Sequence, residues 1–321
     1  MLIVYVSACL LVAAATLCFY VTQPLLLRAG GRHGGAAADP ERLKAHVRAL
    51  SESFSPRDYK QTENLDACAS YIRAEFLSAG GRVSEQPFKA WGKSYRNVVA
   101  HFGPETKERV VVGAHYDAAG PYPGADDNAS GSAGLLELAR LLGGAELPLK
   151  VELVAYSLEE PPFFRTEHMG SAFHARALKQ EGASVRAMIS LEMIGFFSDA
   201  DDSQHYPVSA LSLLYSKKGD FISLVGRTGE GLLVRRVKAA MSGATDLPVR
   251  SINAPRSIPG VDYSDHLNYW HEGFPALMVT DTAFYRNPFY HTADDTAEKL
   301  DYARMAKVVE GVHAAVLDLS R

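Results

Sequence analysis

Residues 110–142 read VVVGAHYDAAGPYPGADDNASGSAGLLELARLL, and this stretch decides the fold. Val110, Val111 and Val112 form a β-branched run, the pattern of a strand covered on both faces. Leu135, Leu138, Ala139 and Leu142 then recur at helical spacing. Between them lies a polar loop holding His115, Asp117, Asp126 and Asp127. Open α/β sheets place their sites in such loops, beyond the carboxyl ends of strands.

The alternation continues outward. Strands are expected near 149–156, 186–191, 221–225 and 276–280, with a helix near 171–180. A last helix carries Met305, Val308, Val309, Val312 and Val316. Upstream, helical patterns cover 41–52 and 63–78, the second closed by Gly80-Gly81. Cys68 falls on its apolar face with Leu65, Ile72 and Phe76. Strand alternating with helix predicts a single α/β domain over 41–321: a mostly parallel, twisted central sheet with helices on both faces.

Composition fits a globular chain. Of 321 residues, 47% are apolar and 22% charged, which excludes wholesale disorder and fibrous repeats. Lys+Arg 33 against Asp+Glu 37 gives a net charge of −4 and no footprint for nucleic acid. The three cysteines include no CxxC pair for a zinc ribbon or redox motif.

No charged residue precedes Arg28, and residues 2–21 are predominantly apolar. A helix of about 20 such residues spans a bilayer, and a cleaved signal would carry Lys or Arg at its start. A single-pass anchor or uncleaved signal is therefore expected over 1–27, then a Gly- and Ala-rich flexible linker over 28–40. Arg28, Arg32, Arg42 and Lys44 follow the apolar stretch, so flanking charge keeps the body cytoplasmic.

Further polar groups end the other expected strands. Glu159-Glu160 follows the strand near 149–156, and Pro161-Pro162 fixes the chain after it. Glu192 ends the strand near 186–191, and Ser264-Asp265-His266 and His291-Thr292 lie in later loops. Residues two apart on extended chain point the same way, so Asp117 can hold the imidazole of His115. Asn128-Ala129-Ser130 spells a glycosylation acceptor, a reading that the adjacent candidate carboxylate argues against. Taken singly, each group also has a plain reading as a helix cap or surface residue.

Together and in this order they resemble a family. Gly113-x-His115-x-Asp117, GADDNASG at 124–131, Glu159-Glu160, Ser264-Asp265-His266 with Trp270, and His291-Thr292-x-Asp294-Asp295-Thr296 are similar to the co-catalytic zinc aminopeptidases of metallopeptidase family 28. Glutaminyl cyclases share that fold. The resemblance implies a zinc exopeptidase-like fold and two Zn2+ ions per chain, or one. By it, His115 and Glu192 would hold one zinc, His291 and Glu160 the other, and Asp127 would bridge them. Glu159 would be the general base and acid, with Asp117 supporting His115. A metal-bridging hydroxide would attack the first peptide bond of peptide or protein N-termini. Zinc takes imidazole and carboxylate ligands, in keeping with this set. Without metal, carboxylates so close together would take up protons.

The resemblance also implies a catalytic domain outside the cytoplasm, opposite to the flanking charges, and it leaves oligomeric state open. Two departures stand out. The position of Glu192 is commonly aspartate in the family, and PPFFRTEHM at 161–169 intervenes before Gly170-Ser171. That insertion is expected to border the substrate mouth through Phe163, Phe164 and Arg165. The alternative enzyme is a one-zinc cyclase of amino-terminal glutamine. A metal-free, membrane-tethered binding module ranks last, because each expected ligand position carries a competent residue. No GxSxG elbow supports a serine hydrolase.

Overall fold

The computed structural model describes residues 2–25 and 37–321. Its elements in chain order are α1 (Leu2–Thr22), α2 (Pro40–Arg48), α3 (Thr62–Ser78), β1 (Arg82–Ala90), β2 (Lys93–Phe102), β3 (Glu108–His115), α4 (Gly131–Leu142) and β4 (Lys150–Tyr156). There follow α5 (Gly170–Gln180), β5 (Ser184–Glu192), β6 (Ile222–Arg227), α6 (Gly231–Ala244), β7 (Val249–Ala254), α7 (His266–His271), β8 (Ala276–Thr280) and α8 (Tyr302–Leu319).

The strands make one sheet in the order β1-β2-β4-β3-β5-β8-β6-β7. Its centre, β4-β3-β5-β8, is parallel throughout. The β1–β2, β2–β4 and β6–β8 pairs are antiparallel, so the sheet is mixed around a parallel middle. Strand alternation divides its apolar residues between two faces. Val110, Val112 and Ala114 pack with α2, α3, α4, α6 and α8 in the larger core. Val111, Val154 and Met188 pack with α5 and α7 in the smaller one. Leu65, Cys68, Ile72 and Phe76 of α3 are all buried, as their spacing predicts.

The amino terminus requires a correction. Among the described residues no helix is long and apolar enough to cross a membrane. The expected single-pass anchor, and the localisation drawn from it, are not supported. The carboxyl end of α1 instead rests against the edge of the sheet: Ser251 Oγ of β7 donates to Thr22 O at 2.7 Å. Apolar composition alone misled here, because the contacts that seat the helix come from far along the chain.

Most of the expected linker lies outside the described residues, and its last residues are fixed. Asp39 N donates to Glu137 Oε1 at 2.7 Å, and the Asp39 carboxylate caps α2 through the Glu41 and Arg42 amides.

Candidate metal centre

Because β3, β4, β5 and β8 run parallel, their carboxyl ends share one rim of the sheet, and the chemistry collects there. His115 ends β3 and Glu192 ends β5, while Glu159 and Glu160 follow β4. Asp127 sits in the turn before α4, and His291 in the loop between β8 and α8. Asp127 joins the two sides: its Oδ1 lies 3.4 Å from His115 Nε2 and its Oδ2 lies 3.0 Å from His291 Nε2. Glu192 Oε2 is 3.3 Å from His115 Nε2, and Glu160 Oε2 is 3.2 Å from His291 Nε2. Glu159 Oε2 stands 3.9 Å from His115 Nε2. Three overlapping groups can hold a metal ion: His115-Asp127-Glu192, His115-Glu159-Glu160 and Asp127-Glu160-His291.

Most of these residues are held from behind, several of them through their main-chain amides. Both oxygens of Asp117 accept amides, from Glu159 and from Glu160, each at 3.1 Å. Its carboxylate is 3.6 Å from His115 Nδ1, and its main-chain oxygen is closer, at 3.2 Å. Asp295 accepts the Asp126 and Asp127 amides, and Ser264 Oγ donates to Glu192 Oε2 at 2.7 Å. Asn128 is buried, with its amide bonded to Leu191 O, Gly131 N and Met193 N, so it is no glycosylation site. Gly124, at φ 58, admits no side chain: a Cβ would meet Asp127 O at 2.3 Å. Leu158, Met193 and His291 hold left-handed backbone at φ 64, 49 and 56, a strain that clusters at functional sites.

The sequence model of peptidase family M28 matches residues 97–316, more than half of the chain. The chain belongs to peptidase family M28. The uncharacterized protein YfbL of Escherichia coli is 50% identical over 283 residues, covering 86% of this chain and 87% of its own. A probable leucine aminopeptidase of Arthroderma benhamiae is 31% identical over 297 residues, covering 84% of this chain and 71% of its own. Among solved structures, LapB from Legionella pneumophila superposes with a TM-score of 0.69 at 24% identity, covering 88% of this chain and 72% of that one. That likeness concerns the fold.

The donor set of this M28 chain suits a cation. His115 Nε2, His291 Nε2 and Glu160 Oε1 are buried without a hydrogen-bond partner, and such orphaned atoms in a native fold call for an explanation. Burial lowers the affinity of His115 for a proton, but the Glu192 charge and the nearby Asp117 and Asp127 carboxylates outweigh it and hold the imidazolium well above 6.5. Burial opposes the charge on His291 as well, yet Asp127 and Glu160 push it up to about 10. Burial raises Glu159 well above the usual carboxylate range, with the charges of Glu192 and Glu160 adding to it against His115. Burial and the Asp127 charge likewise raise Glu160. Asp127 alone is held below the ordinary range, because the two imidazoles beside its carboxylate overcome its burial. Without metal the cluster thus neutralises itself with protons.

Beside the cluster lies an open cavity with Glu192 and Tyr290 in its wall and mostly apolar or aromatic side chains elsewhere. Tyr290 stacks on His291 with ring centroids 3.8 Å apart. The 161–169 insertion behaves differently from expectation at Phe163, which is 1% exposed and packs on Tyr59 and Trp91. Phe164 and Arg165 do reach the cavity wall, through Tyr263. His266 stays apart from the candidate metal-binding groups: it bonds Val261 O and meets the Trp270 ring edge to face.

Arg57 carries no motif, and sequence reading passes over it. It is fully buried, and its guanidinium donates to Tyr116 O, Pro123 O and Gly124 O at 2.9–3.0 Å and to Leu50 O. These bonds tie down the loop between His115 and Asp127. Arg57→Met is expected to cost about 3–5 kcal/mol in denaturant unfolding, since buried carbonyls lose their donors. A loss below about 1 kcal/mol would show that the loop holds itself.

Proposed function

We propose a division of labour within the site of this metallo-aminopeptidase. His115, Asp127 and Glu192 would hold one zinc, and His291, Glu160 and the shared Asp127 a second. The observation that supports this reading is Asp127 reaching both histidines through its two oxygens. Bound there, zinc supplies Lewis-acid polarisation of the scissile carbonyl and makes water more acidic.

The chain's own residues do the rest. Glu159 takes the proton of the attacking water on its carboxylate and returns it to the leaving amine as the C–N bond breaks. Asp117 sets the angle of Glu159 and Glu160 through their amides. Ser264 fixes Glu192, and Tyr290 holds the plane of His291. The apolar cavity takes the side chain of the first residue of a peptide or protein N-terminus, in keeping with leucine aminopeptidases among the relatives. A cyclase needs one metal, whereas two ligand groups share Asp127 here.

The test is a panel of aminoacyl p-nitroanilides with zinc-loaded protein, beside a glutaminyl peptide. Leucyl and phenylalanyl anilides are expected to be cleaved fastest. Ammonia and pyroglutamyl peptide without anilide cleavage would replace the peptidase reading with the cyclase.

A further inference from the structure

The carboxyl end of α1 is seated in a receptacle that the catalytic body builds for it. Lys238 of α6 is 9% exposed, and its Nζ donates to Thr22 O at 2.9 Å, Gln23 O at 3.2 Å and Ser251 Oγ at 3.1 Å. Two of its three acceptors therefore belong to the end of α1. A helix's last carbonyls lack partners within the helix, and a cation there also meets the negative end of its dipole. Burial, with Arg250 and Arg235 nearby, pushes the ammonium down to about 8. Tyr20 Oη accepts the Gly229 amide at 2.9 Å, and Arg235 lies over the Phe19 ring. Gln23 is 6% exposed and fills a notch above Gly231, where a Cβ would meet its Nε2 at 2.7 Å.

The same receptacle forms one side of the substrate cavity. β7 is the last strand of the sheet and pairs only with β6. Side chains alternate along a strand, so Ser251 points away from its neighbours Arg250 and Ile252. Ser251 bonds the end of α1, while Arg250 and Ile252 line the cavity. Tyr215, also in the cavity wall, donates its hydroxyl to Ser251 O at 2.7 Å. β7 thus forms a partition one strand thick between helix seat and cavity. It lies three strands from β5, which ends in Glu192, or roughly 14 Å at ordinary strand spacing.

We propose that the docked end of α1 positions the far wall of the substrate cavity, so that Lys238 and Ser251, by seating it, set how strongly large apolar residues are selected. The inference rests on the aminopeptidase reading. Lys238 and Ser251 act through β7 and Tyr215 and are positioning residues.

The test uses full-length, zinc-loaded chain and compares leucyl with alanyl p-nitroanilide. In Lys238→Met, KM for the leucyl substrate is expected to rise about five- to tenfold, the scale of apolar pocket contacts, while KM for alanyl and kcat for both stay within about twofold. Lys238→Arg, which keeps the cation, is expected to retain the wild-type ratio. A purely structural seat would lower the melting temperature and leave the ratio of the two KM values unchanged, and that result overturns the proposal. If Lys238→Met does not fold, Tyr20→Phe and Ser251→Ala are read the same way. Wild-type chain that cleaves neither anilide removes the aminopeptidase reading itself, an outcome distinct from an unchanged ratio in an active enzyme.

Discussion

Glu159→Gln is expected to lower kcat by about 10²- to 10⁴-fold, the range that general acid–base catalysis contributes, with bound zinc unchanged by elemental analysis. The substitution keeps shape and volume but removes the site that accepts a proton. Both ligand groups that share Asp127 lack Glu159, so the metals have no reason to leave. KM should move little, because the carboxylate acts on the water and the leaving amine. The pH profile sharpens the test. Glu159 must be ionised to act as a base, and burial with the Glu192 charge raises its affinity for a proton. Wild-type kcat therefore rises with pH along an acid limb, and that limb should vanish in the variant. A variant retaining more than about a tenth of the activity takes the base role away from Glu159.

The parts of this site that the sequence discloses are those carried by strand ends. Val110–Val112 and the run before Glu159 read as strands from composition, so the polar residues just beyond them were expected on one rim. Parallel pairing of β3, β4 and β5 then turns four separate motifs into one cluster. What escaped has no local signature. β1 buries only Phe88 and Ala90 and alternates with no clear period, so its sequence carries no strand signal. The Arg57 guanidinium bonds main-chain oxygens 59, 66 and 67 residues away, and a carbonyl has no residue type to recognise. Phe163 reads from sequence as a contact for substrate because its aromatic neighbours, Tyr59 and Trp91, are remote in the chain. The amino-terminal helix shows the same limit: its seat is formed by Lys238 and Ser251, more than two hundred residues on.

Stripping the metal with a chelator is expected to abolish turnover, lower the melting temperature, and load the site with protons that zinc later expels. A ligand bound only to the native state at about a thousandfold excess over its Kd stabilises by about 4 kcal/mol, or roughly 5–10 °C for a domain of this size. The proton count follows from the electrostatics. In the metal-free chain the carboxylates push His291 up to about 10 and raise His115 in the same direction, so both favour the imidazolium form. Burial and Asp127 raise Glu160 too, while Asp127 stays ionised and contributes no proton. Ligands must be deprotonated to bind, so zinc displaces protons from His115, His291 and Glu160. Zinc affinity must then rise with pH through neutrality, about tenfold per pH unit for each proton released, until the value near 10 for His291 is passed. Calorimetric titration of zinc in buffers of different ionisation enthalpy reads this release directly. His291→Ala and Glu160→Ala should each lower both zinc content and proton release. Affinity that stays flat between about pH 6 and 8 would mean that neither imidazole gives up a proton on loading, and that the two histidines are not the ligands.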